Sequence, residues 1–139
     1  MTDRDAVIET LVQLFIGTDN RDWGKVRRCF AAKVEFDMSS VGAGPAQIKT
    51  GQEIADGWDA GLKQVEVVFH QAGNFLVDMQ GREASAFCYG IAYHHRKSPL
   101  STRLFLGSYE AHLVNDGGWK IDRFKYNLKH TEELPRTAE

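Results

Sequence analysis

Between Val65 and His130 the chain reads as long strands in succession, with no helical stretch between them. The runs Val65–Met79, Glu83–Lys97, Thr102–Val114 and Trp119–His130 are rich in β-branched and aromatic residues. Short polar links separate them: "QGR" is a tight connection, "SPLS" a second, and "NDGG" a hairpin signal. Strands of about 12–15 residues do not make a flat sheet, because each twists in one sense and the whole coils. Such a sheet curls around whatever covers its inner face.

The first part of the chain supplies that cover. Val7, Ile8, Leu11, Val12, Leu14 and Phe15 recur at helical spacing. Thr2 with Asp5 has the form of a capping box, and Gly17 is the expected stop. Asp22 is the expected N-cap of a second, short helix carrying Trp23, Val26 and Phe30. "KVEFDMSS" reads as a strand and "VGAGPAQIKTG" as a loop, since two glycines and a proline break regular structure. Thr50 with Glu53 repeats the capping pattern. A third helix then runs from about Gln52 to Lys63, with Ile54, Trp58 and Leu62 on one face. Helices followed by grouped strands indicate an α+β fold, a mostly antiparallel sheet with helices on one face and a cone-shaped cavity between them. Residues 1–131 form a single domain on this reading, and residues 132–139 a polar tail.

The 139 residues suffice for one domain with its own core. Charged residues make up 26% and the net charge is −2, with Lys and Arg scattered, so no basic face for nucleic acid is expected. No apolar run is long enough for a membrane span, and the polar start "MTDRDAV" does not resemble a signal peptide. The two cysteines, Cys29 and Cys88, lack CxxC spacing and read as reduced core residues of a cytoplasmic protein.

The strand Glu83–Lys97 carries a further signal. Neighbours on a strand face opposite sides. Ala84, Ala86, Cys88, Gly90 and Ala92 share a side with His94. The bulkier Phe87, Tyr89, Ile91 and Tyr93 share the other with His95. The small set suits a crowded concave face that lines a cavity. The bulky set then lies on the convex face, where a large exposed apolar patch indicates an interface. A homodimer through Phe87, Tyr89, Ile91 and Tyr93 is expected.

The order of elements, with "FIGTDNRDWGKVRRCFAAKVEFD", "VFHQAGNFLVDMQGREASAFCYGIAYHH" and "GSYEAHLVNDGGWKIDRFKYN", resembles the NTF2-like superfamily and, within it, the SnoaL-like proteins. The resemblance spans nearly the whole chain. Scytalone dehydratase and hexachlorocyclohexane dehydrochlorinase of this group share a pattern of Asp at the end of the first helix and His on the first strand after the third. The matching positions are Asp19 in "GTDNRDW" and His70 in "VFHQAGN". The dehydratase's second His has its counterpart in His94 of "AYHHRK". Its two carbonyl-polarising tyrosines fall on Thr18 and Met38, which cannot act as phenols do, so that enzyme's own substrate is not expected.

An imidazole titrates near neutrality and can take a proton from carbon, and a carboxylate on its other nitrogen fixes the tautomer. Asp19, His70 and His94 are thus the candidate catalytic residues. Tyr109 shares parity with Phe105, Ala111 and Leu113 and can aim a phenol inward. Asp37, near where steroid isomerases of the superfamily carry their Asp base, joins Met38, Trp58 and Asn127 as candidates for ligand contact. A bulge is expected near Asp122, where the apolar alternation shifts from Trp119 and Ile121 to Phe124 and Tyr126. His94-His95 has no partners at metal spacing, "GAG" lacks a strand-to-helix context, and no G-x-S-x-G elbow occurs. The expected function is a cofactor-independent lyase or isomerase acting on a hydrophobic cyclic small molecule. The alternatives are a non-catalytic binding or assembly module and, further off, an epoxide-hydrolase-like enzyme.

Overall fold

The computed structural model describes residues 1–134. Three helices cover one face of a curved six-stranded sheet. They are α1 (Asp3–Asp19), α2 (Trp23–Arg28) and α3 (Gly51–Gly61). The strands are β1 (Phe30–Asp37), β2 (Gln47–Lys49), β3 (Val67–Gln80), β4 (Glu83–Lys97), β5 (Leu100–Asn115) and β6 (Trp119–Glu133), in sheet order β2-β1-β6-β5-β4-β3. All pairings are antiparallel except β1 with β6. No helix among the described residues is long and apolar enough to cross a membrane.

Both capping boxes form. Thr2 and Asp5 close the start of α1, and Thr50 and Glu53 that of α3, each pair exchanging side-chain and backbone bonds. Asp22 caps α2 by accepting from the Lys25 amide. Gly17 does not stop α1, which runs on to Asp19. A Cβ at Gly17 would sit 3.2 Å from the Lys25 and Val26 side chains, so this glycine lets α2 approach. The reversal falls to Arg21, left-handed at φ 54°, whose guanidinium donates to the carbonyls of Leu62 and Val65 beyond α3. Phe30 opens β1 and is not part of α2. The segment expected to be all loop contains a short 3₁₀ turn, Ser39–Val41, and β2, a three-residue edge strand that exists by pairing with β1. β6 extends to Glu133, two residues into the segment read as a tail, while residues 135–139 of that tail lie outside the described residues.

β4 keeps its alternation from end to end. Ala84, Ala86, Cys88 and Ala92 are buried under the helices, and Tyr89 and Ile91 are exposed on the convex side. Three bulges curve the neighbouring strands. In β3, Asn74 and Phe75 together oppose Cys88, and Asn74 is left-handed at φ 56°. In β6, Asp122 and Lys129 are skipped in the pairing with β5, the first at the position expected. Apolar residues of α1, namely Val7, Leu11, Leu14 and Phe15, meet Val34, Leu113, Ile121 and Phe124 in the core.

Gly90 of β4 and Gly107 of β5 are cross-strand partners. The Tyr109 ring lies over Gly90, where a Cβ would come 2.2 Å from Cε2. Tyr126 lies over Gly107, where a Cβ would meet the Asn127 carbonyl at 2.3 Å and the Tyr126 hydroxyl at 2.6 Å. The paired glycines form a hollow that two phenol rings fill. Gly107→Ala should therefore destabilise the protein by about 2–3 kcal/mol through overpacking. Gly73→Ala, with nothing within 4 Å of its new Cβ, should change stability by no more than about 0.5 kcal/mol. Urea unfolding of both variants measures the difference; equal effects would contradict the packing account.

Candidate active site

The helices and the concave face enclose a cavity of about 400 Å³. Phe15 and Thr18 of α1, Met38 and Val41 beside the 3₁₀ turn, and Trp58 and Leu62 at α3 form one wall. His70 of β3, Ala92 and His94 of β4, Arg103, Phe105 and Tyr109 of β5, and Phe124 and Tyr126 of β6 form the other. Two larger depressions, of about 670 and 770 Å³, touch neither His70 nor His94.

Asp19 is brought to His70 because α1 runs past its expected stop. Its Oδ1 lies 2.6 Å from His70 Nδ1, and its Oδ2 accepts the His70 amide at 2.9 Å. Both side chains are about 15% exposed. One carboxylate thus holds the ring and the backbone of the same residue. With Nδ1 donating to Asp19, Nε2 keeps its lone pair as an acceptor. Phe15 stacks on the imidazole at 5.8 Å between ring centroids, with 20° between the planes. Asp19 sits behind the ring and is not part of the cavity wall.

His94 stands edge-on to His70 at 6.5 Å and packs on Phe105 at 5.0 Å. Burial pushes its pKa down to about 4, His70 and Arg96 act in the same direction, Asp19 opposes them, and Arg103 adds a smaller push downward. It is a neutral imidazole at pH 7. Tyr109 is buried, which raises its pKa, so it stays a phenol. Its ring tilts against Phe15 and Tyr126, each at 4.8 Å. The Tyr126 hydroxyl is buried without a hydrogen-bond partner among the described residues. Trp58 packs between Phe30, Phe36 and Phe124. Thr18 turns its hydroxyl back to the Leu14 carbonyl at 2.8 Å.

Asp19, His70, His94, Tyr109, Met38 and Trp58 thus gather at one place. Two expected contacts do not. Asp37 has its pKa lowered first by the Ser39 side chain and then by the Ser39 amide, from which it accepts at 2.9 Å, and its carboxylate serves the turn at the end of β1. Asn127 bonds Glu110 and Ser108 on the outer face, because the Gly107–Leu128 pairing puts it on the convex side of β6. Residues that the sequence reading passed over include Phe15, Arg103, Phe105 and Tyr126. Phe15 was visible as a core residue, and Phe105 shares strand parity with Tyr109. Arg103 shares that parity too, but a strand arginine ordinarily faces water.

The cysteines stay out of this chemistry. Cys29 and Cys88 are buried and unpaired, and burial raises their thiols to about 11 and about 12. No group of three or more His, Cys, Asp and Glu among the described residues is arranged to hold a metal.

His94 makes stability depend on pH. Its folded pKa lies below the ordinary histidine value, so the unfolded chain binds the proton more readily. The stability is full above about pH 6.5 and is lost as pH falls towards 4. In urea titrations, His94→Phe should unfold with a shallower loss between these values than the parent. Parallel curves would show that His94 is not held neutral.

Among curated proteins, none matches the sequence. Solved structures do. One is the Kfla4162 protein from Kribbella flavida, with TM-score 0.88 and 18% identity, over 94% of this chain and 93% of that one. A second is the hexachlorocyclohexane dehydrochlorinase LinA-type3 from Novosphingobium barchaimii, with TM-score 0.81 and 17% identity, over 94% and 89%. A third, from Novosphingobium aromaticivorans, is described as a candidate scytalone dehydratase, with TM-score 0.81 and 17% identity, over 97% and 89%. At these identities the likeness speaks for the fold. Residues 1–125 match the SnoaL-like domain, and the chain belongs to that family of the NTF2-like fold.

Proposed function

We propose that the cone cavity is the active site of a cofactor-independent lyase or isomerase for hydrophobic cyclic small molecules, with His70 as general base. The observation that carries this reading is the 2.6 Å contact between His70 and Asp19, with the ring on the cavity wall and the carboxylate behind it. In this role His70 Nε2 takes a proton from a substrate carbon. The imidazolium that forms is stabilised by Asp19, in a pocket walled by Phe15, Phe105 and Trp58 where charge interactions are strong. His94 and Tyr109, both neutral, donate hydrogen bonds to the oxygen on which charge develops or which departs. The names of the dehydrochlorinase and dehydratase neighbours fit a carbon-deprotonating role. A hydrolase of the epoxide type needs carboxylates around a water, and the residues lining this cavity include none. A binding module needs the apolar cavity but gives the Asp19–His70 pair no work.

The test is proton exchange at a weakly acidic carbon. 1-Tetralone in D₂O should lose its α-proton signal faster with the protein than without it. His70→Ala should lower that acceleration by about 100-fold. Asp19→Asn should cost a similar factor, by letting the wrong tautomer form. Undiminished exchange in His70→Ala would remove the assignment.

We further propose that a second copy of the chain covers the convex face of β3 and β4. Phe69 pairs with Tyr93, Leu76 with Phe87 and Gln71 with Ile91 in adjacent rows. Leu76, Phe69 and Tyr89 are 69%, 56% and 56% exposed, a patch of the kind that marks interfaces. Sedimentation velocity should show a dimer, and Tyr89→Glu a folded monomer. A monomer at all concentrations for the parent protein would refute the pairing.

A further inference from the structure

Among the described residues, Arg103 is the one permanently charged side chain on the cavity wall, and its charge is weakly used there. It projects from β5 directly opposite His94 of β4 and opposite Glu133 of β6. Its only ion-pair contact among the described residues is with Glu133, at 3.8 Å, and both side chains are more than half exposed. Such a pair contributes little. A guanidinium presents five N–H donors in a planar fork, and the Glu133 contact leaves most of them to solvent and to the cavity that Arg103 borders. Its field already reaches inward, since it helps to disfavour charge on His94.

From this arrangement we infer that the natural ligand of the cavity carries a carboxylate, which Arg103 clamps at the rim while the ring system enters the aromatic interior. The inference rests on the cavity being the ligand site. A carboxylate matches the fork in two parallel bonds. A doubly charged phosphate is a poorer match, because among the described residues this wall offers a single cation. β3 and β5 flank β4, with His70 opposite Ala92 and Arg103 opposite His94, so the two backbones are roughly 12 Å apart across the sheet. A one- or two-ring acid spans that gap with its carboxylate at Arg103 and a ring carbon near His70. The neutral His94 lies between them on β4. Arg103 is then a specificity-determining residue and takes no part in proton abstraction.

Two probes of one shape test this: 2-naphthylacetate and its neutral counterpart 2-naphthylacetamide. Quenching of Trp58, which lines the cavity, reports binding of either. The acid should bind about tenfold more tightly than the amide, equivalent to about 1.4 kcal/mol. Added salt should shrink that ratio. Arg103→Gln should bring it close to one by weakening the acid alone, and Arg103→Lys should restore part of it. Equal affinities in the parent protein, equal weakening of both probes in Arg103→Gln, or no saturable binding of the acid would each overturn the inference. The comparison in the parent protein requires no variant to fold. Binding is read without turnover, so failed proton exchange with the acid preference intact condemns the base assignment alone, and the reverse condemns Arg103 alone.

Discussion

The structure depends on the depth to which α1 sinks into the sheet. α1 lies chiefly over β3, and the inward row of β4 beside it, Ala84, Ala86, Cys88, Gly90 and Ala92, adds almost no side-chain volume beneath the helices. The helix can therefore bring Phe15 and Thr18 down to the level of the cavity and carry Asp19 to β3. Larger side chains on that row would lift α1 away and separate Asp19 from His70. The hollow over Gly90 and Gly107 obeys the same logic, with Tyr109 and Tyr126 lying flat where a Cβ would forbid it. Close-packed interiors transmit such local choices over many residues.

Charge is layered around the cavity. The interior is aromatic and neutral, with His94 held uncharged by burial and Tyr109 kept protonated. The anionic group stands behind His70 and the cationic one at the rim. An aromatic, water-poor setting of this kind strengthens each remaining electrostatic contact.

Much of this was legible in the sequence. Long strands in succession announced the curved sheet, both capping boxes marked helix starts, and the parity of β4 separated concave from convex. Other features were not. Gly17 looked like a helix stop because its close neighbour, Val26, lies nine residues on, and glycine is chosen there for space and not for dihedral freedom. The strand β2 was invisible because three residues become a strand only when β1 is present to pair with them. Asn127 could not be assigned a face because Lys129 is skipped in the pairing, and a bulge shifts the inward-outward alternation between its two flanks. Arg103 escaped notice because a strand arginine ordinarily faces water, although it shares the inward parity of Phe105 and Tyr109.

The two oxygens of Asp19 serve different purposes on one residue, since Oδ2 takes the His70 amide and Oδ1 its imidazole. The first contact is architectural, a stitch between the end of α1 and the start of the sheet. The second sets the orientation and tautomer of the ring. Because both belong to one rigid carboxylate, neither can be adjusted without disturbing the other. Docking of the helix and orientation of the ring are therefore a single checkpoint: a molecule in which α1 has docked out of register has also lost its imidazole geometry.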